Sequence, residues 1–383
     1  RCIHYFQYWK FIVFMNKSLT IILLTLSIIS CKDVINEIPQ NPFQTTPYYF
    51  NYNTSLLPPP RIPADNPITV EGVQLGRMLF YDPILSSDSS QSCSSCHDQK
   101  NAFTDNNQQF SVGVEGTIGK RNSMAIFNLM WHIDGFFWDG RSNLLRHQAI
   151  EPIIDETEMN ETIDHVIMKL NRSSLYKENL QKAFPETTFN EEIIGKALEQ
   201  FMLSIISSDS KFDRVMLGLE SFTDEEKTGQ VIFNSEAITI QNEVDPNNPQ
   251  NFGADCFHCH GNSLFMRREF LANGLSDNGD KGLGGVTRDP RDDYKFKTTS
   301  LRNIEKTAPY MHDGRFKTLE EVVQFYLSDM NASSAVDLSN SPNLHALKDS
   351  VYLSPEHKKA LVAFLKTLTD ESLLTNEKYS SLC

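Results

Sequence analysis

The sequence predicts an all-α protein built twice on one plan, and three observations predict it. Apolar residues recur at helical spacing behind capping signals, with no convincing paired runs of strand-like alternation. A Cys-X-X-Cys-His pentapeptide stands in each half, as Cys93-Ser94-Ser95-Cys96-His97 and Cys256-Phe257-His258-Cys259-His260. After each one the same punctuation returns: Arg121-Asn122 then Asp139-Gly140-Arg141, and Arg302-Asn303 then Asp313-Gly314-Arg315.

The first element is a leader. Asn16-Lys17 after Met15, an apolar run from Leu19 to Ile29 and Ser30 before Cys31 describe a signal peptide, so residues 1–31 are assigned to upstream sequence and export signal. Leu26-Ser27-Ile28-Ile29-Ser30-Cys31 resembles a bacterial lipobox. That resemblance implies cleavage before Cys31, acylation of its sulfur and a periplasmic, lipid-anchored location; the alternative is an ordinary signal peptide with an incidental cysteine. Residues 32–62, with Pro58-Pro59-Pro60 and no helical period, read as an extended tether.

The first domain, 63–220, opens with a helix from about Val70 that Asp82-Pro83 stops. Ile193, Ile194, Ala197, Leu198, Phe201 and Ile205 fall on one face of a helix over 191–206. The second domain, 221–383, has a capping box at Thr223-Glu226 that starts a helix leading into the second pentapeptide. A further box at Thr318-Glu321 starts a helix through Tyr326, and Ser354-Pro355 starts the last one.

Composition narrows the partners. The chain has 383 residues, 40% hydrophobic and 22% charged, which suits two domains with their own cores. A net charge of -14 argues against nucleic acid and suits a basic protein partner. Four of seven cysteines lie in the pentapeptides, Cys31 lies in the leader, and Cys2 and Cys383 stand at the ends, so no disulfide framework is implied.

In Cys-X-X-Cys-His, two thiols add to the vinyl groups of a haem while the histidine takes an axial position on the iron. Two such motifs imply two covalent haem c groups, on Cys93, Cys96 and His97 and on Cys256, Cys259 and His260. Two CxxC pairs also make a four-thiol zinc site, or disulfides. The wide separation of the pairs, the histidine after each and the export signal favour haem, and with it two cytochrome c-like domains related by internal duplication.

The repeat permits a comparison of register. Eleven residues after Arg315 stands Tyr326; eleven after Arg141 stands Pro152. If both lie over the far face of their haem, the second iron is offered a phenolate oxygen and the first a ring that cannot ligate. The alternative is a packed core tyrosine. Gln148 and Glu158 flank Pro152, and a carboxyl group in an apolar pocket suits proton transfer; read alone, Glu158 is a surface acid. Trp138 reads either as a relay of electrons between haems or as a buried aromatic.

These residues together resemble the bacterial di-haem cytochrome c peroxidase family, including its MauG-like branch. The resemblance runs from about Pro63 to Leu368. It rests on the two CxxCH motifs, Gly119-Lys120-Arg121-Asn122, Phe137 to Arg141, Gln148 to Met159, and Ser300 to Arg315 through Tyr326. It implies a peroxidatic haem on His97 and an electron-transfer haem on His260. It also implies an acid/base role for Glu158, pocket roles for Gln148 and Pro152, and an interhaem role for Trp138. A calcium ion between the domains is implied, held by the Asn122 side chain and the carbonyls of Thr307 and Pro309.

Two departures matter. Many members place a distal histidine about eight residues before the Asn122 position; here Gly113-Val114-Glu115-Gly116 stands in that region, with no histidine between Asp98 and Lys120. Many carry Met where Tyr326 stands, Tyr being similar to the MauG branch; Met311 and Met330 are the fallback ligands. The expected function is reduction of hydrogen peroxide to water with electrons from a small donor protein, a cytochrome c or a cupredoxin, by a chain that pairs as a homodimer in many relatives. The alternatives are a MauG-like oxidase of a partner protein and a non-catalytic electron carrier.

Overall fold

In this computed structural model, residues 44–132, 134–185, 187–237, 253–275, 279–330, 351 and 353–382 are described. The leader with Cys2 and Cys31, the start of the tether, most of the loop between the second domain's first helix and its CxxCH motif, and Cys383 lie outside them.

Thr69 caps α1 (Val70–Tyr81) by accepting from the Gly72 amide, and Asp82 before Pro83 ends it. α2 (Cys93–Cys96), α3 (Leu145–Ile154), α4 (Ile163–Arg172), α5 (Ser174–Ala183), α6 (Glu191–Ser204) and α7 (Lys211–Met216) follow. The boxes at Thr223 and Thr318 are both formed, opening α8 (Asp224–Phe233) and, after α9 (Cys256–His260) and α10 (Leu283–Thr287), α11 (Leu319–Gln324). A π-helical turn, Phe325–Asp329, carries α11 onward and includes Tyr326. α12 (Pro355–Lys366) is not the last helix, since α13 (Glu371–Thr375) follows it. The sheet among the described residues is one antiparallel pair, β1 (Phe270–Leu271) with β2 (Phe296–Lys297), so the protein is helix-rich with few strands.

Two cores form. Leu75, Leu79, Phe80, Leu198 and Phe201 are buried in one, and Phe233, Leu361, Phe364 and Leu368 in the other; each such side chain contributes about 1.5–3 kcal/mol. The key contacts repeat. A Cβ at Gly76 of α1 would stand 1.9 Å from the Ala197 carbonyl oxygen and 2.9 Å from the Phe201 Cβ, and one at Gly229 of α8 would stand 1.9 Å from the Ala360 oxygen and 2.8 Å from the Phe364 Cβ. In both cores a glycine lets two helices meet backbone to backbone.

The punctuation repeats too. Phe136 bridges Ser142 and Tyr310 bridges Phe316, closing turns in which Gly140 (φ +71°) and Gly314 (φ +61°) take the left-handed region. The register at the start of the punctuation is not the one the sequence suggests. Asn303 is left-handed, opens a 3-10 turn and gives its amide to Leu368, just past α12. Its counterpart by these criteria is Asn128, left-handed before the turn Leu129–Trp131 and bonded to Ile205, just past α6. Asn122 is therefore free for another task. The end of the chain returns to the first core: Leu373, Leu374 and Tyr379 are buried there, and Gln99 Nε2 donates to the Leu373 and Asn376 carbonyls at 2.9 Å.

Candidate active site

The first CxxCH motif is a single helical turn whose start is fixed by Ser92, with the Ser92 amide donating to Ser95 Oγ at 3.1 Å. His97 Nδ1 lies 3.0 Å from the Phe103 carbonyl and 3.3 Å from Ser123 Oγ, which itself donates to the Cys96 carbonyl. A carbonyl partner makes Nδ1 the protonated nitrogen, which leaves Nε2 with its lone pair. Burial lowers the His97 pKa, so the ring is neutral and ready to ligate. The second motif repeats this, with His260 Nδ1 2.9 Å from the Phe265 carbonyl and its pKa pushed by burial down to about 4.

The four motif cysteines are free thiols. Among the described residues, the one convergence of three or more His, Cys, Asp or Glu donors is Glu236, Asp255 and His258, within 4.8 Å of one another, and it includes none of those thiols. A four-thiol zinc site is therefore not assembled. Paired free thiols beside a histidine whose Nε2 is held unprotonated are the donor set that a covalent haem needs, and both halves present it.

Glu158 comes to the first motif. It follows α3 in a turn closed by its amide on the Asp155 carbonyl at 3.0 Å. Its charge acts on both Cys93 and Cys96, so its carboxyl lies within electrostatic reach of the thiols. Burial, with the Asp155 charge added, raises its pKa to about 7. Gly113, in the segment that lacks a histidine, packs against it: a Cβ there would be 2.2 Å from the Thr157 oxygen and 2.7 Å from the Glu158 oxygen. Gln148 and Pro152 lie one turn apart on α3 and are partly buried. Pro152 lacks the amide that would bond to the Gln148 carbonyl, so α3 runs on to Ile154 with one rung of its hydrogen-bond ladder missing. Measured from the helix start, Pro152 in α3 and Tyr326 in α11 with its π turn hold the same position.

The second motif faces a cavity whose lining includes apolar Phe233, Leu319, Val323, Leu361 and Leu365 together with Asn122, Trp138, Lys297 and His312. Tyr326 and Met311 both line it; Tyr326 is bonded to Asn273, which also donates to Met311 Sδ at 3.4 Å. Burial raises the Tyr326 pKa. Met330 is instead a core side chain and does not line the cavity, so it is no fallback ligand.

Trp138 Nε1 donates to the Asn122 carbonyl at 2.9 Å, and the Asn122 amide donates to the His312 carbonyl at 2.8 Å. Asn122, Thr307 and Pro309 reach the same cavity. The Asn122 amide nitrogen donates to the Gln108 and Gln109 carbonyls at 3.2 Å, which turns its side-chain oxygen away from them. A clamp that sequence reading missed joins the halves here: Arg121 bonds Asp139 at 2.6 Å and Asp280 at 2.7 Å. Nothing local marks Asp280 as its partner.

Residues 70–221 match the family model for di-haem cytochrome c peroxidase. The chain is 32% identical over 316 residues to the methylamine utilization protein MauG of Methylorubrum extorquens strain AM1, covering 81% of each. It is 33% identical over 356 residues to cytochrome-c peroxidase IdrP1 of Pseudomonas sp. strain SCT, covering 84% of this chain and 87% of that one. A solved structure of a MauG-like protein associated with microbial copper homeostasis superposes with a TM-score of 0.76 at 31% identity, covering 88% of this chain and 99% of that one.

Proposed function

The chain belongs to the di-haem cytochrome c peroxidase family and is an oxidoreductase of that type; on that premise we propose that it reduces hydrogen peroxide to water at the His97 site with electrons from a cytochrome c or cupredoxin. The observation that carries this reading is Glu158, a carboxyl within electrostatic reach of Cys93 and Cys96 whose pKa burial raises to about 7. Cys93, Cys96 and His97 hold one haem and Cys256, Cys259 and His260 the other; when bound, these supply the redox chemistry. Glu158 takes the proton from the inner oxygen of peroxide and returns it to the outer one. Two electrons and two further protons complete two waters.

The remaining residues position and connect. Gln148 and Pro152 shape the peroxide pocket, and Trp138 stands between the haem sites, held through Asn122. Calcium on the Asn122 side chain and the Thr307 and Pro309 carbonyls fixes that connection, a set of oxygens suited to a hard cation. The matched glycine contacts and turns support two cytochrome c-like domains related by duplication. Export to the periplasm and a lipid anchor at Cys31 are part of this reading, as is a homodimer.

A second reading, oxidation of a partner protein, draws support from Tyr326 in the second cavity and from the likeness to MauG. Mixing the ferric protein with one equivalent of peroxide separates the two. Oxidising equivalents that persist for minutes and fade only with a protein substrate favour the second; rapid discharge by a reduced donor cytochrome, with turnover, favours the first.

A further inference from the structure

His312 is 4% exposed, and neither ring nitrogen has a hydrogen-bond partner. A buried polar group left so is costly, so such an atom calls for a ligand. The ring is held flat against Phe296, with centroids 3.7 Å apart and planes 8° apart, and both side chains line the second cavity. The nearby acids are engaged elsewhere: Asp313 by Arg315 at 2.5 Å, and Asp280 by Arg121. The cavity's lining combines apolar side chains such as Phe233, Leu361 and Leu365 with polar ones, among them His312 and the partly buried Lys297, whose Nζ donates to the Gly135 carbonyl at 2.6 Å. A haem has the same two requirements, an apolar ring and two carboxylates that need polar partners.

Resting on the reading that Cys256 and Cys259 hold a haem, we propose that His312 donates a hydrogen bond to a carboxylate of that haem and ties it to the segment bearing Trp138. His312 is a positioning residue. Its carbonyl accepts from the Asn122 amide, whose own carbonyl accepts from Trp138 Nε1, so ring and relay share one chain of bonds. The donated bond also draws charge from the carboxylate. Without it the fuller negative charge near the iron favours the ferric state.

The test uses the full holo-protein with H312F, which keeps the stack on Phe296 but lacks a donor, and H312Q, which restores one. Covalent haem is counted first from the pyridine haemochrome spectrum; a wild-type count other than two per chain defeats the haem reading itself, separately from His312. Reductive titration against a mediator of known potential then reads each haem. We expect H312F to shift the reduction equilibrium of the His260-ligated haem about tenfold toward ferric, the scale of one hydrogen bond to a charged group. The His97-ligated haem stays within about twofold and H312Q recovers most of the loss. Should H312F not accumulate, H312N, whose shorter amide withdraws the donor, takes its place with the same expectation. A variant with two haems and an unchanged equilibrium overturns the proposal.

Discussion

Replacing Glu158 by Gln removes one proton-carrying oxygen and little volume. Folding raises this carboxyl from the ordinary 4.5 to about 7, chiefly by burial, so near neutral pH it both accepts and releases a proton readily. General acid/base catalysis contributes roughly 10²–10⁴-fold, about 3–5 kcal/mol of barrier. Glu158→Gln should therefore lower peroxide turnover by that factor, measured as initial rates with a reduced donor cytochrome on protein shown to carry two haems. Below pH 7 the wild-type carboxyl is already protonated and cannot take the proton, so its kcat/KM should rise through an apparent pKa of about 7, a step absent from the variant. Stability runs the other way. A carboxyl whose folded pKa is raised favours folding most when protonated, and that contribution is lost as pH rises from about 4.5 through 7. The Gln variant should melt no lower than wild type at pH 8 and equal it at pH 4. Turnover within threefold of wild type, with both haems attached, would refute the assignment.

Three further outcomes follow from the same geometry. Tyr326→Phe should convert the His260-ligated haem from low-spin to high-spin ferric by EPR, whereas an unchanged spectrum would hand the axial role to Met311, which lines the same cavity. Removing calcium with a chelator should slow electron exchange between the haems, followed by stopped-flow absorption, and added Ca²⁺ should restore it; indifference to the chelator would remove the ion from this account. Gly229→Ala pushes a methyl to 1.9 Å from the Ala360 carbonyl oxygen, between backbones that cannot yield cheaply. It should cost about 1–3 kcal/mol and lower Tm, and a variant as stable as wild type would contradict the helix contact.

Much of this was legible in the chain because it is local. Capping boxes at Thr223 and Thr318, the proline signals at Pro83 and Pro355, and the apolar face of α6 each follow from residues a few positions apart, and the structure has them all. The thiols and histidines of the two pentapeptides were legible for the same reason. What escaped depends on contacts distant in sequence. Arg302-Asn303 resembles Arg121-Asn122 as letters, yet the carbonyl that accepts the asparagine's amide, Leu368 past α12 for Asn303 and Ile205 past α6 for Asn128, selects Asn128 as the counterpart. The buried pair of Arg302 with Asp213, 2.7 Å apart, could not be read either. The burial that raises the Glu158 pKa likewise depends on the fold: the distant Gly113 packs against the Thr157 and Glu158 backbone, and an acid that reads as a surface group in the sequence is largely buried.

The proposed function implies that the His97 site takes peroxide directly, because the segment around Gly113 brings no histidine to the position where the family resemblance implies a closing one. The ferric holo-protein, never reduced, should be mixed with one equivalent of hydrogen peroxide and followed by absorption and EPR. The account predicts a high-spin haem that reacts at once, with reaction slowed in Glu158→Gln. Two low-spin haems that ignore peroxide until one is reduced would contradict it.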